Sequence, residues 1–171
     1  MNPTNASRPP LSMLQTTFRN AMAAVCTPVA VVTATSDGLP YGTTVSAFSS
    51  LSMDPPMMMV ALDKGSELLA IVKKTNAFGV NVLGSTQADM ALTFARKGGT
   101  TKFAEVAWDD VSGVPRLPGA SGFISCSVSG IIEGGDHLIV LGNVVDAGTE
   151  HAPPLTYHSR VFGTHVALGG V

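Results

Sequence analysis

Apolar and polar residues alternate with two different periods along this chain, and the changes of period mark out its elements. From Ser12 the spacing is helical: Leu14, Phe18, Ala21 and Val25 share one face, and Ser12 with Gln15 three later forms a capping box. A first helix is expected from about Met13 to Ala24. Residues 1–10, rich in Pro and Asn, are expected to be a disordered tail, which leaves 11–171 as one domain. After Pro28 the run Val29–Thr33 reads as a strand, and Asp37 with Gly38 is a hairpin signal. The hairpin leads into a hydroxyl-rich strand (Thr43, Thr44, Ser46, Ser49, Ser50), with Thr44, Ser46 and Phe48 on one face and Val45, Ala47 and Ser49 on the other. Asp54, Pro55 and Pro56 turn it sharply into Met57–Leu62, whose continuous apolar run suggests a strand buried on both faces.

Ser66 is a natural N-cap for a helix from Glu67 to Lys74, with acid and base suited to the two ends of its dipole. Phe78–Leu83 is a further strand. Ser85 or Thr86 caps a helix to about Lys97, which Gly98 and Gly99 stop. No period survives from Thr100 to Ala120, where Pro115 and Pro118 mark a loop. Gly122–Ile132 alternates as a long strand, Gly134 and Gly135 turn it, and Leu138–Val145 returns antiparallel. Six or seven strands joined mostly by short turns, with a few helices, favour a closed antiparallel barrel over a parallel sheet.

Composition narrows what such a fold does. With 171 residues there is room for one domain and a substantial core, but not for a second catalytic unit. Charged residues make up 13% and hydrophobic residues 45%, and the mean hydropathy is +0.31, so apolar surface is expected to be hidden in an oligomer. A net charge of −2, with no basic cluster beyond Lys73 and Lys74 or Arg96 and Lys97, argues against nucleic acid. No run approaches the ~18 apolar residues of a membrane helix, and no leader is visible. Cys26 and Cys126, far apart and without metal-ligand spacing, read as buried thiols of a reducing compartment, and the protein is expected to be cytoplasmic.

The chemistry is bounded by absences. No GxGxxG opens a helix, so any dinucleotide binds by another geometry. The four histidines, His137, His151, His158 and His165, have no paired ligand spacing, so no metal is expected. Neither Ser49 nor Ser50 lies in a GxSxG or beside a base.

One family carries the same landmarks in the same order: TPVAVVTAT (27–35), GTTVSAFSSLSMDPP (42–56), FGVNVL (78–83), Gln87, LTFARKGGTTKF (92–103), FISCSV (123–128), GDH (135–137) and PLTYH (154–158). On these blocks the chain, over roughly residues 14–165, resembles the short-chain flavin reductases, the small reductase components of two-component flavin monooxygenases. The resemblance implies the FMN-binding split barrel, usually a homodimer with flavin near the subunit interface. It implies transfer of hydride from NADH or NADPH to FMN or FAD, and delivery of the reduced flavin to a separate monooxygenase. Two alternatives share the barrel: a flavin-binding protein without turnover, and an oxidase related to the pyridoxamine phosphate enzymes, whose basic phosphate motifs are not visible here.

The resemblance also gives candidate residues. The strand carrying Thr43, Thr44, Val45, Ser46, Ala47 and Ser49 is where the family holds the isoalloxazine, and its hydroxyls and amides suit a flat polar heterocycle. Ser66, at a helix start, and Lys102 with Phe103 in TTKF lie where the family contacts the flavin phosphate; a solvated loop lysine is the other reading of Lys102. Asn81, on an apolar strand, either bonds the flavin ribityl chain or a neighbouring backbone. His137 of GDH lies on the nicotinamide side in that family, with a role in orientation and electrostatics; by itself it reads as an exposed turn residue. His158 and Arg160 close the last matched block near the flavin, though the spacing around Arg160 departs from the family's.

Overall fold

The computed structural model describes residues 10–169. The expected disordered tail therefore lies outside the described residues except for Pro10. In chain order the elements are α1 (Leu11–Ala23), β1 (Thr27–Pro28), β2 (Ala30–Ser36), β3 (Leu39–Val45), β4 (Phe48–Met53), β5 (Pro56–Asp63), α2 (Glu67–Thr75), β6 (Ala77–Val82), α3 (Ala88–Ala95) and a 3-10 helix (Gly99–Phe103). They continue with β7 (Asp109–Val111), β8 (Val114–Arg116), β9 (Gly122–Gly134), β10 (His137–Thr149), β11 (Leu155–His158) and β12 (Val161–Thr164).

Seven strands form one antiparallel sheet in the order β3-β2-β6-β9-β10-β5-β4. Two hairpins set much of it. Asp37 and Gly38, both at positive φ, form the two-residue loop between paired Ser36 and Leu39, as a type I′ turn demands. Gly135 at φ +72 and Asp136 join β9 to β10, pairing Gly134 with His137.

The expected single hydroxyl strand is in fact two strands. β3 and β4 follow each other in sequence yet lie at opposite edges of the sheet, separated only by Ser46 and Ala47. Two residues span about 10 Å at most, so the sheet curls until its edges meet at this crossing. The crossing is pinned by the Ala61 amide, which donates to the Ala47 carbonyl at 2.9 Å. No strand ladder joins β3 to β4, so the architecture is a curled seven-stranded sheet with helices rather than a fully closed ladder. The break also resets the expected alternation: Val45 and Phe48, predicted on opposite faces, pack against the same core.

That core lies inside the curl. Ala30, Val32 and Ala34 meet Val60, Leu62, Phe78, Val80 and Val140 there, and α2 seals one end with Leu68, Leu69 and Val72. A second core, on the outer face, joins Val29 and Val31 to Leu83, Phe94, Phe103, Leu117 and Leu155. The strand buried on both faces is thus β2. β5, for which this was predicted, buries Met58, Val60 and Leu62 on one face and leaves Met57, Met59 and Ala61 half-exposed.

Other boundaries shift for local reasons. α1 begins at Leu11 behind Pro10, so Ser12 is already inside it and forms no capping bond. None of its residues is buried: Leu11, Leu14 and Phe18 are 71%, 51% and 64% exposed. α3 starts after Gln87 and stops at Ala95, because Arg96 is extended before the glycine pair is reached; the two glycines lead instead into the 3-10 helix, within the predicted loop. Both cysteines are free, but only Cys126 is buried, its thiol pushed up to about 12 by burial; Cys26, predicted buried, is exposed.

Candidate functional site

The crossing between β3 and β4 is the floor of a branched cleft. β3 is an edge strand, so alternate amides and carbonyls along it face no neighbouring strand. One arm, about 270 Å³, is lined by Thr43–Ala47, by Ala61, Leu62 and Asp63 at the end of β5, by Ser66, and by His137 at the start of β10. Sheet pairing brings these distant positions together: His137 is in register with Asp63, and the Lys64 amide donates to the Asp136 carbonyl at 3.0 Å. Lys64 also pairs with Glu133, tying the Asp63–Ser66 turn to the β9–β10 hairpin.

His137 is half-buried, and its Nδ1 lies 2.8 Å from Asp136 Oδ1. The hydrogen bond and charge of His137 hold the Asp136 carboxyl below the usual carboxylate range. With Nδ1 engaged there, Nε2 is the ring atom free for other contacts.

A second arm of about 600 Å³ shares Thr43, Asp63 and Ser66 with the first and is the basic one. It is lined by Arg96 and Lys97 beyond α3, by Lys102 from the 3-10 helix, and by Glu67 on the first turn of α2. Lys102 Nζ donates to the Gly42 carbonyl at 3.0 Å and the Phe94 carbonyl at 3.1 Å, fastening β3 to the end of α3. Two of its three donors are thus engaged, and one remains. Partial burial lowers its ammonium below the ordinary 10.5, opposed by the charge of Glu67. Lys102 is therefore no solvated loop lysine. The close fit at Gly42 extends this: a Cβ there would stand 2.9 Å from the Phe94 ring.

A third, more apolar arm of about 350 Å³ leaves the floor at Thr44–Ser46 and passes Leu92, Ala95, Tyr157, Phe162 and Arg160. Arg160, at φ +66 in the tight β11–β12 turn, is placed there by the backbone.

The predicted residues fall into two groups. Thr43, Thr44, Val45, Ser46, Ala47, Ser66, Lys102, His137 and Arg160 line these arms. Four others do not. Asn81 is completely buried; its Nδ2 donates to the Val31 and Pro115 carbonyls and Thr33 Oγ1, and its Oδ1 accepts from the Leu117 amide at 2.7 Å. It bonds neighbouring backbone and has nothing left for a ligand. Phe103 is a core residue, edge-on to Phe94 with centroids 4.8 Å apart. Ser49 lies past the crossing on β4, exposed and donating to the Ser50 carbonyl. His158 lines a separate hollow with Cys26 and Thr156. Thr44 lines the cleft, but its hydroxyl is engaged, donating to the Ala91 carbonyl at 2.7 Å.

Sequence reasoning missed Arg96, Lys97, Glu67 and Tyr41. Arg96 and Lys97 read as the basic end of a helix, and the signal that could have found them is the glycine pair immediately after, which brings Gly99 against Glu67 at the start of α2. Among the described residues no cluster of His, Cys, Asp and Glu is arranged to hold a metal ion.

The site is a cleft with a polar floor, a histidine arm and a basic arm on a curled antiparallel sheet, and comparisons with known proteins give its family. Residues 22–165 match the flavin reductase like domain, and the chain belongs to that family. It is 40% identical over 149 residues to the reductase component of a 4-nitrophenol 4-monooxygenase/4-nitrocatechol 2-monooxygenase of Rhodococcus opacus, covering 87% of this chain and 80% of that one. It is 34% identical to an FMN reductase (NADH) of Agrobacterium fabrum, over 85% of this chain and 83% of the relative. Among solved structures, an NADH:FAD oxidoreductase of Streptomyces globisporus in complex with NAD and FAD fragments superposes with a TM-score of 0.85 at 26% identity, covering 94% of this chain and 98% of that one.

Proposed function

We propose that this chain is an NAD(P)H-dependent flavin reductase that passes hydride to FMN or FAD and supplies the reduced flavin to a separate monooxygenase. One observation carries the reading: the Thr43–Ala47 segment lines the His137 arm, which shares Thr43, Asp63 and Ser66 with the Arg96–Lys97–Lys102 arm. The donors fit a flavin. Edge amides and the unengaged Ser46 hydroxyl suit the polar rim of the ring, and three bases with the Ser66 hydroxyl suit a phosphate. When bound, the flavin supplies the hydride acceptor at N5 and the nicotinamide the donor at C4.

The chain's own part is placement and charge. The crossing, fixed by Ala61, presents rigid donors; Lys102 sets one cationic point by its two carbonyl bonds; His137, oriented by Asp136, offers an imidazole from the side opposite the bases. We further read the curl as a split barrel in which the crossing closes β3 upon β4. The unburied apolar face of α1, with Leu14 and Phe18, supports a homodimer in which a second copy covers it. Residues 11–171 act as one domain, and the free thiols of Cys26 and Cys126 fit a reducing cytoplasm.

Steady-state oxidation of NADH and NADPH with FMN, FAD and riboflavin as acceptors tests the proposal. Turnover with flavin bleaching is expected. Tight flavin binding without turnover would instead identify a passive flavin carrier, the alternative raised by the sequence.

A further inference from the structure

We propose that Glu67 sets which flavin the cleft prefers: its carboxylate, placed among the bases of the phosphate arm, disfavours the dianionic phosphate monoester of FMN relative to the singly charged phosphodiester groups of FAD. The inference rests on the reading of that arm as the flavin phosphate site.

Glu67 lines the same cavity as Arg96, Lys97 and Lys102. Its carboxylate lies against Gly99, its oxygens 2.9 and 3.3 Å from the point a Cβ there would occupy, which places it beside the loop between Lys97 and Lys102. Gly99, at φ +51, is a backbone position that accommodates this approach because it carries no side chain. Glu67 forms no ion pair among the described residues, yet its charge opposes the burial-driven fall of the Lys102 ammonium. The other acid of the arm, Asp63, is engaged by the Gly65 amide at 2.7 Å. Glu67 is therefore an unspent negative charge in the field of whatever anion the three bases receive.

A phosphate monoester loses its second proton near pH 6, so FMN carries close to two charges on one phosphorus above that pH. The diphosphate bridge of FAD carries one charge per phosphorus and has no proton to lose in that range. Repulsion from Glu67 thus falls more heavily on FMN, and increasingly so as the pH rises through about 6. The groups facing the arm are Tyr41 on β3, Asp63 on β5, Arg96 and Lys97 after α3, and Lys102 on the 3-10 helix. His137 lines the adjoining arm and is common to the full chain and the variant, so it cancels when the two are compared at one pH.

The test is fluorescence titration of the full chain and its Glu67→Gln variant with FMN, FAD and riboflavin at low salt, at about pH 5.5 and 7.5 on either side of the phosphate transition. Glu67→Gln should raise FMN affinity about two- to fivefold relative to FAD at the higher pH, as expected for one exposed charge pair. The gain should shrink at the lower pH, riboflavin should be unaffected, and the unfolding midpoint should move little. An unchanged FMN-to-FAD ratio at both pH values, or an equal gain for riboflavin, overturns the inference. Lys102→Ala, titrated alongside, separates the two levels. If it weakens FMN more than riboflavin while Glu67→Gln leaves the ratio alone, only the role of Glu67 falls. If it treats FMN and riboflavin alike, the phosphate arm is misassigned and both fall.

Discussion

Two polar regions flank β2, and they use their hydrogen-bonding groups in opposite ways. On the β6 side, Asn81, Thr33, the Pro115 carbonyl and the Leu117 amide form a buried network; Thr33 Oγ1 donates to the Pro115 carbonyl at 2.6 Å and Asn81 has four partners. On the β3 side, Thr43–Val45 keeps an unpaired strand edge, followed by an exposed Ser46 at the curl of the sheet. The residue types are much alike. What separates structure from site is whether the valences are already filled, because a buried polar group must be satisfied internally whereas an edge group at a cleft is free for a ligand.

The strongest way to break this comparison is at the saturated side. Asn81→Ala strands the buried Leu117 amide and opens a small void, so unfolding in urea should show a loss of about 2–4 kcal/mol, while the folded fraction binds flavin as before. A variant that stays stable but loses flavin would move Asn81 into the site.

Lys102 stands between the two regimes, with two donors filled and one open. Lys102→Ala should weaken FMN roughly ten- to thirtyfold and riboflavin far less, since only FMN carries phosphate. Because burial lowers this ammonium, the preference for FMN over riboflavin should decay on alkaline titration before the ordinary lysine value of 10.5 is reached. The sign is fixed: the charged form binds phosphate, so affinity is present below the lowered value and lost above it. Arg96 keeps its charge throughout, so the quantity read is the difference in preference between the full chain and Lys102→Ala; a difference that persists past that value would deny Lys102 the contact.

At the open end, His137→Ala should raise the Michaelis constant for the reduced nicotinamide or slow single-turnover bleaching by about tenfold, leaving flavin affinity nearly unchanged. Loss of flavin with normal nicotinamide kinetics would place His137 on the flavin side instead.

Much of this was legible in the sequence because it rests on local signals. The Asp37–Gly38 hairpin, the Ser66 start of α2 and the long β9–β10 pair are written in turn residues and alternation. The crossing was not, since Ser46–Ala47 carries no turn residue and its geometry follows from the curl of the whole sheet. Phe103 sits beside the cleft residue Lys102 and Asn81 on a strand that lines none of the arms, and only packing shows this: both side chains are buried while Lys102 reaches the cleft. The basic arm was half visible. Lys102 stood out by resemblance, whereas Arg96, Lys97 and Glu67 meet only when the glycine pair brings Gly99 against Glu67 at the start of α2.

The finest cut of the comparison lies between two neighbours on one strand. Thr44 Oγ1 is spent on the Ala91 carbonyl, so Thr44→Val should cost about 1 kcal/mol of stability and leave flavin affinity within about twofold. Ser46 has no such partner among the described residues and is exposed at the crossing. Ser46→Ala should therefore do the reverse, weakening flavin by about fivefold with no measurable change in unfolding. Both are read from parallel flavin titrations and urea curves. Equal effects on binding would mean that the Thr44 hydroxyl leaves Ala91 when flavin arrives, and that filled and open valences at this edge exchange on binding.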